Sequence, residues 1–104
     1  MIAQKQCGLD ENTQQLLISV FQQMEKIEQV ILFGSRALGN FKRGSDIDFA
    51  VVAPKLSLSE FLAIHSQVDD LMLPYKVDAI LYHNIDNQPL IEHIRQMGKV
   101  FYKK

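Results

Sequence analysis

The sequence predicts an α/β (α+β) domain in which a small mixed β-sheet has helices packed on it. Short apolar, β-branched segments alternate with longer segments of helical periodicity, which is the first indication. The connection between the first two predicted strands is too short for a full crossover, so we expect this pair to be antiparallel. A helical segment separates the second and third strands, which is typical of a right-handed parallel crossover.

The first two long helices carry recognisable start signals. Apolar positions recur every three or four residues from about residue 10 to residue 26, and either Asp10 or Asn12 is expected to cap this amphipathic helix. Ser57 and Glu60 have the spacing of a capping box in front of the second helix. Both helices are therefore predicted to begin at a defined residue.

The strands are short and are interrupted by glycine, serine or proline. The first stops at Gly34 and the second at Pro54, residues that do not continue a central strand. Strands are predicted at residues 29–33, 46–52 and 76–82, with a short edge strand at residues 100–102.

A last helix is expected before the edge strand. Asp86 or Asn87 would cap it, and Gly98 is expected to follow its C-terminus as the C′ residue. Its predicted inward face consists of Leu90, Ile91, Ile94 and Met97.

Composition and charge argue against several classes of function. Eleven Lys and Arg residues against twelve Asp and Glu give a net charge of −1, so direct nucleic-acid binding is not expected. The single Cys7 excludes a disulfide framework and fits a reducing cytoplasm. No segment approaches the roughly 20 apolar residues that span a bilayer, so no membrane contact is expected. We expect one domain over residues 1–104, with residues 1–8 forming a disordered tail.

Acidic residues interrupt two strands that are otherwise apolar. Asp46 and Asp48 are two positions apart and would share one face of a strand, and Asp78 interrupts the third strand in the same manner. Neighbouring parallel strands would bring the three carboxylates to one end of the sheet, where a pair ~4 Å apart repels by about 4 kcal/mol. Mg²⁺ would remove this cost. The alternative is that each Asp pairs with Lys or Arg, or caps a turn.

A Gly-Ser turn follows the first strand. Gly34 allows close approach of an anion, Ser35 adds a hydroxyl, and a helix start there would offer free N–H groups. The next ten residues can return the chain to this turn, bringing Arg36 and Ser45 near bound phosphates. An ordinary strand-to-helix turn has the same pair of residues, so the turn alone is weak evidence. Together with the carboxylates it indicates a site for a metal and a triphosphate.

Other nucleotide and metal sites are not indicated. No Gly-Lys-Ser/Thr follows the Gly-Ser turn, and no G-x-G-x-x-G run is present. His65, His83 and His93 have no shared-face spacing, so zinc binding by them is not expected. Two metal ions about 3.5–4 Å apart at the carboxylates would suit the activation of a hydroxyl and the departure of pyrophosphate.

These motifs resemble a known family. Gly34-Ser35, ten further residues, Asp46-x-Asp48 and the later strand Asp78 are similar to the minimal nucleotidyltransferases of the DNA polymerase β superfamily. The resemblance implies a polymerase β-like nucleotidyltransferase core, with the first two aspartates as shared ligands of Mg²⁺. It implies the third as a further ligand and as the base, and the glycine and serine as phosphate contacts.

The same resemblance implies Ser45 as a phosphate contact, ATP as the substrate and a partner protein. Family members of this size resemble antitoxins that transfer AMP to a tyrosine of a HEPN-domain toxin and so silence it. The expected function is that Mg²⁺-dependent transfer, within a hetero-oligomer with the toxin. Two alternatives stay open: an antitoxin that neutralises its partner by binding alone, and nucleotidyl transfer to a small molecule.

Overall fold

The computed structural model describes residues 7–104, in which helices and strands alternate. The helices are α1 (Glu11–Gln22), α2 (Ser35–Leu38), α3 (Leu58–Asp69) and α4 (Gln88–Met97). The strands are β1 (Gln29–Phe33), β2 (Ile47–Val52), β3 (Val77–Leu81) and β4 (Lys99–Lys103). None of the helices in the described part of the chain is long and apolar enough to cross a membrane.

The strands form one mixed sheet in the order β3-β2-β1-β4. β1 is antiparallel to β2 and to β4, whereas β2 and β3 are parallel and α3 connects them. The antiparallel first pair and the parallel crossover are therefore confirmed. The edge strand predicted at residues 100–102 is also confirmed, and is longer at both ends.

The helix start signals are confirmed in detail. Asp10 Oδ1 accepts a hydrogen bond from the backbone N–H of Thr13 at 2.9 Å. Ser57 and Glu60 form both halves of a capping box, with bonds of 3.0 and 3.1 Å. Asn87, one of the two predicted caps, accepts from the start of α4. These bonds satisfy backbone donors that helix geometry leaves unpaired.

The main core lies on one face of the sheet, between the strands and the helices α1 and α3. Strand residues alternate between faces, and Val30 and Leu32 of β1 are fully buried on this side together with Phe49 of β2. Phe21 of α1 meets the ring of Phe49 edge-on at 5.5 Å. The residues between these positions, which include Asp48, project to the opposite face.

Helix α4 packs on that opposite face and covers part of it. Ile94 is 2% exposed, and a Cβ built on Gly98 would collide with Ile31 of β1. Gly98, the predicted C′ residue, is the C-cap of α4 and has a φ of −65° and a ψ of 150°, a conformation open to any residue, so lack of space explains the glycine. The predicted inward face of α4 is buried only at Ile94, and Met97 is 49% exposed.

The prediction of a disordered tail over residues 1–8 is wrong for the last residues of that segment. Cys7 is fully buried in the core, next to Leu9, and the side chain of Gln14 donates to the Leu9 carbonyl at 2.9 Å. The polar composition of this segment hid that anchoring. Residues 1–6, the rest of the expected tail, lie outside the described residues.

Candidate active site

The register of the two parallel strands brings two of the predicted carboxylates side by side. Asp48 of β2 and Asp78 of β3 are Cα partners, and neighbouring strands lie about 4.8 Å apart. Asp48 is also the partner of Phe33 in β1, so the pair projects to the face that carries α4. Asp46 lies just before β2, not within it as predicted, and is exposed.

The electrostatics of Asp48 show that these carboxylates act on one another. Burial raises the pKa of Asp48 above its ordinary value of 3.8, and the carboxylates of Asp78 and Asp46 raise it further. The ammonium of Lys76 has a smaller, opposite effect on this pKa. The folded chain therefore holds Asp48 where its ionised form is disfavoured, a cost that a bound cation would relieve.

The ion-pair alternative accounts for little of this arrangement. Lys76 Nζ lies 3.9 Å from Oδ1 of Asp78, but the side chains are 71% and 46% exposed. Exposed pairs of this kind contribute little because water screens them. Among residues 7–104, no ion pair includes Asp46 or Asp48. These two carboxylates are thus left for another cationic partner.

The donor chemistry of the site fits a hard cation. Asp46, Asp48 and Asp78 offer carboxylate oxygens only, which are the ligands that Mg²⁺ prefers. Within the described ranges, no group of three His, Cys, Asp or Glu side chains is already gathered as a metal shell. Binding would therefore require the exposed Asp46 and the half-exposed Asp78 to turn toward Asp48.

The Gly-Ser turn lies directly against Asp48. Gly34 has a φ of +76° and a ψ of −156°, and a Cβ built on it would collide with Oδ2 of Asp48. Only glycine allows both the backbone conformation and this close approach. The carbonyl of Gly34 accepts from the N–H groups of Ala37 and Leu38 at 3.1 Å and so begins α2.

The backbone N–H of Gly34 is paired with a histidine, His93, that the sequence pattern does not place at the site. It donates to Nε2 of His93 in α4 at 3.2 Å, and the imidazole meets the ring of Phe33 edge-on at 6.2 Å. The amide expected to contact phosphate is therefore engaged inside the protein. A weak signal existed, because His93 is three residues after Leu90 and four before Met97, and so flanks the apolar stripe of α4.

Arg36 takes a structural place and not the expected one beside bound phosphates. It is 2% exposed, and its guanidinium donates to the carbonyl of Cys7 at 2.8 Å and twice to that of Ser45, at 2.9 and 3.1 Å. The rings of Phe41 and Tyr75 stack on it at 5.2 and 4.9 Å. Arg36 thus ties the loop before β2 to the N-terminal segment, and its cation is enclosed.

The two serines keep hydroxyl groups at the site. Ser45 is half-buried and its Oγ accepts from the backbone N–H of Lys42 at 2.8 Å, which leaves its O–H free to donate. Ser35 is half-buried and is the first residue of α2, where N–H groups have no partner within the helix. Contact of either serine with phosphate stays a prediction.

Replacing Arg36 by Lys should destabilise the fold by about 2–3 kcal/mol, because an ammonium cannot bridge the carbonyls of Cys7 and Ser45 and leaves one unpaired. Urea denaturation measures this loss of unfolding free energy. The exposed Arg43→Lys is the matched control and should change it by less than about 0.5 kcal/mol. Equal stability of the two variants would show that the buried guanidinium contributes nothing particular.

Comparison with known proteins identifies the family and the fold. Residues 15–104 match the family model described as Polymerase beta, Nucleotidyltransferase, whereas no curated protein matches the chain. A toxin–antitoxin structure with AMP-PNP is 24% identical, with a TM-score of 0.71, over 92% of this chain and 75% of that one. An MNT antitoxin in complex with a tri-AMPylated HEPN toxin from Shewanella oneidensis is 18% identical, with a TM-score of 0.68, over 92% and 74%. The fold is shared with both, and because the family model spans most of the sequence, this chain belongs to the polymerase β-like nucleotidyltransferase family.

Proposed function

We propose that this chain is a cytoplasmic, Mg²⁺-dependent antitoxin that transfers AMP from ATP to a tyrosine hydroxyl of a HEPN-type toxin. One observation carries the proposal: Asp48 lies against the Gly34 turn, where its ionised form is disfavoured by burial and by two neighbouring carboxylates. Two of the similar structures support the substrate and partner, since one contains AMP-PNP and the other an AMPylated HEPN toxin.

Each residue of the site then has a task in the reaction. Asp46, Asp48 and Asp78 would hold two Mg²⁺ ions. When bound, these ions would neutralise phosphate charge and make the acceptor hydroxyl more acidic. Asp78 accepts the proton of that hydroxyl, since it lies on the edge strand and is partly open to solvent. Ser35 and Ser45 donate to phosphate oxygens. A bond forms between the tyrosine oxygen and the α-phosphorus. The bond from the α-phosphorus to the oxygen that bridges it to the β-phosphate breaks, and pyrophosphate leaves.

The surface beside Asp78 has room for an acceptor side chain. A groove of about 350 Å³ is lined by Asp78 together with residues of α3 and of the segment before β3, which include Val68, Leu73, Tyr75 and Lys76. Its apolar and aromatic residues would suit a phenol ring.

The position of the label in ATP tests the reaction. The full chain, mixed with its HEPN partner and Mg²⁺, should label the partner from α-³²P ATP and not from γ-³²P ATP, because pyrophosphate carries the γ-phosphate away. A partner in which tyrosine is replaced by phenylalanine is the control. Labelling from γ-³²P ATP and not from α-³²P ATP would indicate phosphorylation, and this outcome, like the absence of labelling from either nucleotide, would contradict the proposal.

A variant with asparagine at all three positions, Asp46, Asp48 and Asp78, separates transfer from masking by contact. Its binding to the toxin should persist, since Asp→Asn changes little in size, while protection of cells that express the toxin should be lost. Full protection by this variant would contradict the enzymatic proposal and favour neutralisation by binding alone.

Without metal, Asp48→Asn should raise the melting temperature at pH 7 by about 3 °C. The pKa of Asp48 is raised in the folded state, so the native chain binds more protons than the unfolded chain between the two pKa values. Its contribution to stability therefore falls as pH rises through that window and stays unfavourable above it. Scanning calorimetry should show that the advantage of the variant shrinks as the pH falls toward about 3.8 and is lost below that pH.

The control for this measurement is Asp86→Asn, which removes an exposed carboxylate away from β2 and should leave the melting temperature within about 1 °C. Millimolar Mg²⁺ with ATP should stabilise the wild type more than Asp48→Asn. A melting temperature that is unchanged or lower in the metal-free Asp48→Asn variant would contradict the repulsion between carboxylates.

A further inference from the structure

The contact between α4 and the Gly-Ser turn joins two segments that are far apart in the sequence. Nε2 of His93 accepts the backbone N–H of Gly34 at 3.2 Å across 59 positions. The imidazole is partly buried and meets the ring of Phe33 edge-on. Ile94, the next residue of α4, is buried and anchors this part of the helix. Because Nε2 accepts here, the proton of the neutral ring is on Nδ1.

This hydrogen bond completes the restraint of the Gly34 backbone. The carbonyl of Gly34 already accepts from Ala37 and Leu38, so His93 holds the remaining polar group of the residue. Gly34 in turn adjoins the carboxylate of Asp48 and is followed directly by Ser35. The conformation of Gly34, which both contacts restrain, therefore decides where Ser35 lies relative to Asp48.

We infer that His93 is a positioning residue that holds the Gly34-Ser35 turn in the conformation that binds the triphosphate of the nucleotide. The inference rests on the proposed function and adds a residue of α4 to that site. His93 touches neither the carboxylates nor the reacting atoms in this account. Its loss should weaken nucleotide binding, because the turn must then be ordered when the nucleotide binds, and should leave the chemical step largely intact.

Two amide substitutions separate the hydrogen bond from general packing. In His93→Gln the side-chain oxygen reaches the position of Nε2, whereas the shorter side chain of His93→Asn reaches only that of Nδ1. His93→Phe keeps an aromatic ring beside Phe33 but has no acceptor. Glu92→Gln, an exposed change on the same helix, is the control.

Calorimetric titration of the full chain with Mg²⁺ and α,β-methylene ATP measures the nucleotide affinity without the partner. We expect Kd to rise about fivefold in His93→Asn and His93→Phe, the range for one lost hydrogen bond, and to stay within about twofold in His93→Gln and Glu92→Gln. With the partner present, KM for ATP should rise in the same two variants while kcat stays within about twofold. Hydrogen exchange at the Gly34 amide should be faster than in the wild type in His93→Asn and His93→Phe, and as slow as in the wild type in His93→Gln.

Equal affinity of the wild type, His93→Asn and His93→Phe would overturn the inference while leaving the proposed function in place. Equal weakening in His93→Gln and His93→Asn would also overturn it, since packing and not the hydrogen bond would then matter. If the wild type itself bound no nucleotide, the proposed function would fail, and this inference with it.

Discussion

Asp48→Asn is expected to lower the rate of AMP transfer by roughly 10³-fold or more, since charge neutralisation at a metal site supplies several kcal/mol of transition-state stabilisation. Asp48 is the carboxylate that adjoins both Asp78 and the Gly34 turn, so its loss would remove the proposed ligand that the metal and phosphate parts of the site share. Single-turnover labelling from α-³²P ATP, at saturating ATP and partner, measures the rate.

The stability of this variant makes the result unambiguous. Asp48→Asn should be inactive while its melting temperature without metal is higher than that of the wild type, so that unfolding cannot explain the loss. Asp86→Asn should transfer AMP at the wild-type rate. Transfer by Asp48→Asn within about tenfold of the wild-type rate would contradict its role as a metal ligand.

Gly34→Ala is expected to lower AMP transfer by roughly 10²-fold and to destabilise the fold by about 2 kcal/mol. The added methyl group would collide with Oδ2 of Asp48, and the φ of +76° with a ψ of −156° belongs to a region that alanine rarely adopts. Either the turn or the carboxylate must move, and both belong to the site. Chemical denaturation and the transfer assay measure the two effects separately.

Gly39 provides a matched control, because it separates backbone strain from collision. Its φ is +81°, close to that of Gly34, yet a Cβ there would meet nothing within 4 Å. Gly39→Ala should therefore cost about 1 kcal/mol of stability and leave AMP transfer within about twofold. If both alanine variants lost transfer to the same extent, strain in the loop, and not the contact with Asp48, would be the cause.

Local signals were sufficient for most of the fold. Capping residues such as Asp10, Ser57 and Asn87 act within three positions of themselves, so their pattern is visible in the sequence. The crossover likewise predicted that Asp78 would adjoin Asp48. Asp46 lies before β2, so a shared strand face for Asp46 and Asp48 stays a prediction. The predicted positions of the strand ends were less accurate, because polar residues at the end of a strand can lie inside or outside the hydrogen-bonded sheet.

The remaining features depend on contacts between distant segments. Arg36 has the composition of a phosphate ligand, and only its enclosure by Phe41 and Tyr75 shows that it is structural. The same stacking gives Phe41 a structural place in the loop before β2. His93 and Cys7 gain their roles from segments far away in sequence, so a local pattern gives at most the weak signal noted for His93.

The central claim is that three carboxylates and one turn together hold a metal and a triphosphate. A crystal structure of the full chain with Mn²⁺ and α,β-methylene ATP tests it most directly, since manganese is located by its anomalous scattering. We expect a manganese peak between Asp46, Asp48 and Asp78, with phosphate oxygens beside Ser35. A bound nucleotide whose metal lies elsewhere on the chain would contradict the assignment of these carboxylates as metal ligands.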